Sequence, residues 1–170
     1  MKRDHSRRVD LPFHWPAPPL HIVLVEPEIP PNTGNVARLC AATGSWLHLV
    51  GPLGFRLTDA QLRRAGLDYW DAVQCARHAD FAEAVSALPG ARCLFFSTRG
   101  TTPYTAVTYQ PGDALVFGSE SRGLPDALLD QNSSQVFRIP LRTDCVRSLN
   151  LATAVGIVLY EALRQIDRRA

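Results

Sequence analysis

Four polar segments carry the residue types that could do chemistry. Residues 30–38 read PPNTGNVAR. Asn35 and Arg38 are three apart and share a helix face near a helix N-terminus, where backbone N–H groups favour anions. That pair suits a phosphate or a ribose, and it equally suits an ordinary capped helix with a solvated arginine. Residues 117–125 read FGSESRGLP and place Glu120 at a strand end beside Arg122 and two glycines. A carboxylate there is costly unless it is paired or hydrogen-bonded; the plainer alternative is a Glu120–Arg122 surface pair, worth at most about 1 kcal/mol. Residues 97–103 (STRGTTP) offer small hydroxyls and a glycine, suited to backbone contact with a ligand or to a simple turn. Residues 139–150 run from Ile139-Pro140-Leu141 to Arg147-Ser148-Leu149-Asn150. There Ser148 is placed to cap a long helix, and Asn150 to reach a ligand from its first turn.

Several familiar chemistries are excluded. Gly118 and Gly123 have the spacing of a phosphate-binding loop, but Leu124 and Pro125 follow where Lys and Ser or Thr are needed. Ser121 has Ser119, not glycine, two residues before it, so no nucleophile elbow is present. No Gly-x-Gly-x-x-Gly follows a strand. The five histidines are scattered, without a metal-binding spacing. Cys40, Cys75, Cys93 and Cys145 are widely spaced, which points to a reduced, cytoplasmic protein. The longest apolar run, residues 154–160, is far short of the roughly 20 residues of a membrane span. No secretory h-region follows the basic N-terminus. The 170 residues suit one domain, and 46% apolar content suits a proper core. The net charge of +2 excludes a bulk polyelectrolyte, yet seventeen of the eighteen basic residues are arginine, the residue best suited to bidentate phosphate contact.

The elements that must position these segments alternate. Residues 1–19 read as an irregular, basic and proline-rich arm, either a mobile tail or a segment that holds RNA. Strands are expected at 21–26, 46–50, 73–76, 92–97, 114–118 and 135–141. Residues 27–31 are expected to form a non-helical turn. Asn32 or Thr33 would then cap a helix ending at Gly44. Further helices are expected to open at 58–61, to run from the Asp80 and Glu83 cap through Leu88, and to span 149–166. Such alternation means an α/β domain with a mostly parallel sheet, and in such sheets ligands bind at the carboxyl ends of the strands.

Taken together and in order, three of these segments resemble the motifs of the SPOUT superfamily of RNA ribose 2′-O-methyltransferases: residues 31–39, residues 117–125, and Ile139-Pro140-Leu141 with residues 147–151. Residues 24–31 (LVEPEIPP) and 62–69 (LRRAGLDY) resemble, more narrowly, the short tRNA (cytidine/uridine-2′-O)-methyltransferases that act on the wobble nucleotide. The resemblance spans residues 20–166. It implies a parallel-sheet fold with a C-terminal trefoil knot over roughly residues 95–166, and S-adenosylmethionine as cofactor with no metal. It also implies a homodimer with the active site at the interface, and the tRNA anticodon stem-loop as partner. By motif position, Phe96, Gly118, Ile139, Leu141 and Ser148 would hold the cofactor. Arg38 would activate the ribose hydroxyl. Asn35, Glu120, Ser148 and Asn150 would orient ribose and cofactor. Tyr160 would contact substrate or the dimer interface. Arg63, Arg64, Tyr69 and Arg122 would contact RNA. A ribosomal RNA methyltransferase, or a non-catalytic RNA-binding protein on the same fold, are the alternatives. The N-terminal arm is extra to the short subgroup, and Ala152 stands where a small hydroxyl residue is frequent.

Overall fold

The computed structural model describes residues 11–55, 72–142 and 144–168. The elements run β1 (His21–Val25), α1 (Pro30–Thr43), β2 (Trp46–Val50), β3 (Cys75–His78), α2 (Phe81–Ser86), β4 (Cys93–Phe96), β5 (Thr102–Pro103), β6 (Ala114–Phe117), α3 (Asp126–Gln131), β7 (Val136–Arg138) and α4 (Leu151–Asp167). The strands form one sheet in the order β3-β2-β1-β6-β4-β7-β5. Every pairing is parallel.

A parallel sheet needs cover on both faces, and the strands supply it by strict alternation. Ile22, Leu24, Leu47, Leu49, Leu115 and Phe117 face one side, where they join Val36, Ala37 and Cys40 of α1 and the apolar stripe of α4. Val23, Val25, Val50, Phe95 and Val116 face the other, against Ala84, Leu88 and Leu129. α1 and α4 pack together at Gly156 and Leu39, where a Cβ on the glycine would make ordinary contact with the Leu39 side chain at 3.6 Å.

The second face also carries a row of histidines. His21 Nδ1 lies 3.1 Å from His48 Nε2, and His48 Nδ1 lies 3.0 Å from His78 Nε2. Burial, with His21 and His78 as neighbours, pushes the His48 imidazole down to about 4.

Residues 11–20 form no helix or strand. They lie against the fold: His14 donates its backbone N–H to the Asp167 carboxylate at 2.8 Å, and Phe13 packs on the core.

Element boundaries differ from expectation in instructive ways. Pro30 and Pro31 are the first residues of α1, not part of a non-helical turn, and Ile29 rather than Asn32 or Thr33 occupies the N-cap. A proline in the first helical turn loses nothing, because those N–H groups have no intrahelical partner and its φ is already helical. Ser148 does not cap the long helix. Asn150 does, accepting from the Thr153 N–H. The expected strand at 135–141 is paired only over Val136–Arg138. The expected strand at 73–76 lies at Cys75–His78. The short strand β5 and helix α3 carry no periodic pattern long enough to announce them. The helix expected to open at 58–61 lies outside the described residues.

Candidate active site

The sheet order reverses at β1 and β6, the central pair, so their carboxyl ends open into the crevice where ligands bind in such folds. The chain leaves β1 through Glu26, whose φ of +50° is rare for a non-glycine residue. Such strain costs on the order of 1–3 kcal/mol and persists only where surrounding structure imposes it. Here the Glu26 N–H donates to the Val50 carbonyl at 2.8 Å, and the turn aims residues 27–29 at the loop after β6.

That second loop doubles back on itself. Ser119 and Gly123 exchange backbone hydrogen bonds of 3.2 and 2.9 Å. A Cβ on Gly118 would lie 2.0 Å from the Gly123 carbonyl carbon, so only glycine fits. The two loops are then stitched together. Ser121 donates its hydroxyl and its N–H to the Glu28 carboxylate at 2.7 and 3.0 Å, which holds that carboxyl below its ordinary range. Arg122 donates to Glu26 at 3.0 Å, not to Glu120.

Glu120 is placed from below by backbone. Its Oε2 accepts from the Glu28 N–H at 2.8 Å, and its Oε1 from the Ile29 N–H at 3.1 Å. These donors lie just ahead of α1, whose first turn has no acidic residue and no side-chain cap of its own. A carboxylate from another loop therefore meets the positive end of the helix dipole. Oε1 also accepts from Asn32 Nδ2 at 3.0 Å. Asn32 Oδ1 in turn accepts from Asn150 Nδ2 at 2.9 Å, and Asn150 Oδ1 caps α4. One chain of hydrogen bonds thus runs from the β6 loop through α1 to the start of α4.

Above this network lies a cleft of about 510 Å³. Phe96, Gly118, Ile139, Leu141 and Ser148 all line it, as do Glu120, Arg122 and Asn150. Its floor includes Phe96 and Phe117, stacked at 5.1 Å between ring centroids. An apolar floor ringed by hydroxyls, backbone and a fixed carboxylate suits a ligand with a flat apolar part and a polar tail. A second recess of about 420 Å³ holds Asn35 and Arg38 and shares Asn150 with the cleft. Tyr160 lines neither; it is half exposed on α4. Arg63, Arg64 and Tyr69 lie outside the described residues. No group of His, Cys, Asp and Glu able to hold a metal occurs among the described residues. No helix among them is long and apolar enough to cross a membrane.

Sequence reasoning missed two polar residues of this site. By residue type Asn32 reads as a helix cap, yet its amide is the bridge between Glu120 and Asn150. Glu28 reads as part of a turn, yet its carboxylate fixes Ser121. The available signal was indirect: Glu120 needed partners, and residues 27–32 supply the polar groups nearest the facing strand end.

Comparison with known proteins agrees with this geometry. The SpoU rRNA Methylase family matches residues 19–160. A tRNA (cytidine(34)-2′-O)-methyltransferase of Escherichia coli K12 is 51% identical over 148 residues, covering 86% of this chain and 94% of that one. A solved structure concerned with 2-OH methylation of C/U34 on tRNA shares 52% identity at a TM-score of 0.80, covering 86% of this chain and 95% of the other. An AdoMet-bound rRNA methyltransferase from Sinorhizobium meliloti shares 27% identity at a TM-score of 0.75, covering 85% of this chain and 56% of that one. With a family match across residues 19–160 and half of its aligned residues shared with a near full-length relative, the chain belongs to the SpoU methylase family.

Proposed function

We propose that this protein transfers a methyl group from S-adenosylmethionine to the ribose 2′-hydroxyl of nucleotide 34, a cytidine or uridine, in the tRNA anticodon loop. The observation that carries the reading is the similarity to the Escherichia coli enzyme over nearly the whole of both chains. The cleft at the β1 and β6 ends supports it with a site of fitting shape.

The residues present fit the cofactor. About 510 Å³ lies within the roughly 300–1,000 Å³ of small-molecule sites. Phe96, Ile139 and Leu141 supply an apolar bed for an adenine ring, and Gly118 and Ser148 supply backbone and hydroxyl groups beside it. The carboxylate of Glu120, held by three donors, sets a fixed negative charge at the cleft wall. S-adenosylmethionine supplies, when bound, an electrophilic methyl on a sulfonium with an excellent leaving group.

The protein's own work is then to position the hydroxyl and stabilise its charge. A ribose 2′-hydroxyl is a poor nucleophile at neutral pH. A guanidinium carries a delocalised positive charge and has no lone pair suited to take up a proton at neutral pH. Arg38 therefore acts by stabilising the alkoxide that develops on the 2′-oxygen, while the hydroxyl proton passes to a nearby RNA phosphate oxygen or to water and not to the arginine. Asn150, on the wall of the cleft, orients the cofactor and the ribose brought to it. Arg122 at the cleft rim and Arg63, Arg64 and Tyr69 contribute phosphate contact and base stacking to RNA binding. The protein works in the cytoplasm as a homodimer, with Arg38 of one subunit serving the cleft of its partner. The half-exposed Tyr160 on α4 supports that arrangement.

Mass spectrometry of tRNA nucleosides from a strain lacking the gene, with and without its restoration, tests the function. We expect 2′-O-methylated nucleoside at position 34 to disappear and return. A tRNA pool unchanged by the deletion refutes the assignment.

A further inference from the structure

We propose that the recess beside Arg38 is a pyrimidine-base subsite in which Asn35 reads the Watson–Crick edge, accepting cytosine or uracil by a half-turn of its amide. The proposal rests on the methyl-transfer reading above and deepens it.

Asn35, Arg38, Leu39 and Ala42 stand at i, i+3, i+4 and i+7 of α1, so they form one face. Ala152 and Thr153 of α4 close the recess from the other side. Its apolar residues, Leu39, Ala42 and Ala152, suit the face of an aromatic ring. Its polar residues come from both sides, Asn35 and Arg38 from α1 and Asn150 and Thr153 from the start of α4. Residues three apart on a helix have Cβ atoms about 5–6 Å apart. The Asn35 amide and the Arg38 guanidinium therefore serve one recess, close enough for a single nucleoside to meet both. With Arg38 at the hydroxyl, Asn35 falls at the base.

The three asparagines of the site differ in freedom. Asn32 accepts from Asn150 and donates to Glu120, so its amide has one permitted orientation. Asn150 donates to Asn32 and accepts from the Thr153 N–H, so its amide is fixed as well. The Asn35 side chain is exposed and makes no hydrogen bond among the described residues. Its oxygen and its NH2 are both unspent, and its amide is free to turn.

That freedom matches the chemistry of the two pyrimidines. Cytosine presents an N4 donor and an N3 acceptor. Uracil presents an O4 acceptor and an N3–H donor, the reverse order. A side-chain amide carries one acceptor and one donor side by side. In one orientation it pairs with cytosine, and after rotation by half a turn it pairs with uracil. A residue with a fixed donor, such as lysine, or with acceptors alone, such as aspartate, satisfies neither edge fully.

The test uses the full chain and anticodon stem-loop RNAs carrying cytidine, uridine or the pyrimidin-2-one ribonucleoside at position 34. The last lacks the group at C4 and so forfeits one hydrogen bond. For the wild-type protein we expect kcat/KM of methyl transfer to be similar for cytidine and uridine and about tenfold lower for pyrimidin-2-one, the effect of one lost hydrogen bond. For Asn35→Leu, which makes neither bond, we expect all three to become equal, about tenfold below the wild-type rate on pyrimidin-2-one. Because Asn35 is exposed, the variant should unfold at the wild-type temperature, which a thermal melt checks. The proposal is overturned if wild type treats pyrimidin-2-one like cytidine, or if Asn35→Leu keeps the wild-type discrimination. Either result leaves methyl transfer itself intact. Absence of transfer to any of the RNAs refutes the methyl-transfer reading, and this proposal with it.

Discussion

Asn150 donates its side-chain N–H to Asn32 at 2.9 Å, and that bond joins the starts of the two helices that flank the site. α1 leads away from the β1 end, and α4 follows the long loop after β7. The two contribute to the same core cluster, and Gly156 meets Leu39 where they cross. Without a polar link at their N-terminal ends, apolar packing alone would set their separation. The Asn32–Asn150 pair sets it by geometry, and Glu120 anchors the pair to the β6 loop. The cleft and the recess share Asn150, so this link also fixes how the two are placed relative to each other.

Replacing Asn32 should therefore damage both stability and the site. Asn32 is buried, and its loss removes partners from Glu120 and Asn150 together. We expect Asn32→Ala to lower unfolding free energy by about 1–3 kcal/mol, the range for an unsatisfied buried polar group. Asn32→Asp should be worse, because it sets a second carboxylate against Glu120. Urea denaturation measures both, and calorimetry with S-adenosylmethionine should show weakened binding in each.

Gly118 is constrained by space. Its missing Cβ would sit 2.0 Å from the Gly123 carbonyl carbon and 2.1 Å from the Leu124 nitrogen. Both are backbone atoms, so no side-chain rotation relieves the clash. Gly118→Ala must open the hairpin that presents Glu120. A loss of about 3 kcal/mol or more is expected, at the severe end for single substitutions. Calorimetry on any folded material should show no cofactor binding.

The histidine row predicts an acid-sensitive fold. His48 titrates at about 4 in the folded chain, against 6.5 as its ordinary value. Between those values the unfolded chain takes up a proton and the folded chain does not. Stability is therefore fully present above about pH 6.5, declines as the pH falls, and stops declining below about 4. Burial holds His21 below its ordinary value too, which adds to the same slope. Between pH 7 and pH 5 the loss is on the order of 2 kcal/mol. Urea midpoints at pH 7 and pH 5 should differ accordingly, and His48→Asn should flatten much of the difference.

Much of the fold was legible because the alternation of buried strands is a local signal. The run HIVLV at β1 and ALVF at β6 can be little else, and both faces of each are buried as a parallel sheet requires. The strand ends were less legible. Residues 139–141 extend an apolar run, but pairing stops at Arg138. Helix starts were misjudged for a different reason. Local residue type points to Asn32 or Thr33 as the cap, while the group held at the α1 start is a carboxylate 88 to 92 positions away in sequence, bonded to the N–H groups just ahead of the helix and to the Asn32 side chain. Glu120 and Asn150 were recognisable as polar residues at strand and helix ends. Asn32 was not, because its role exists only once two distant loops meet.

Arg38 offers the sharpest division between binding and chemistry. It stands in the recess and not on the wall of the cleft. A side chain so placed should act on the hydroxyl and leave the cofactor's affinity alone. We expect Arg38→Ala to reduce methyl transfer by about 10²–10³ or more, the scale for removing one preorganised charge stabiliser. Calorimetry should find the S-adenosylmethionine affinity within about twofold of wild type, a difference of under 0.5 kcal/mol. Arg38→Lys keeps the charge but loses the planar fork, so it should recover part of the rate. If Arg38→Ala instead loses the cofactor, the arginine belongs to the cleft, and its assignment to the hydroxyl is wrong.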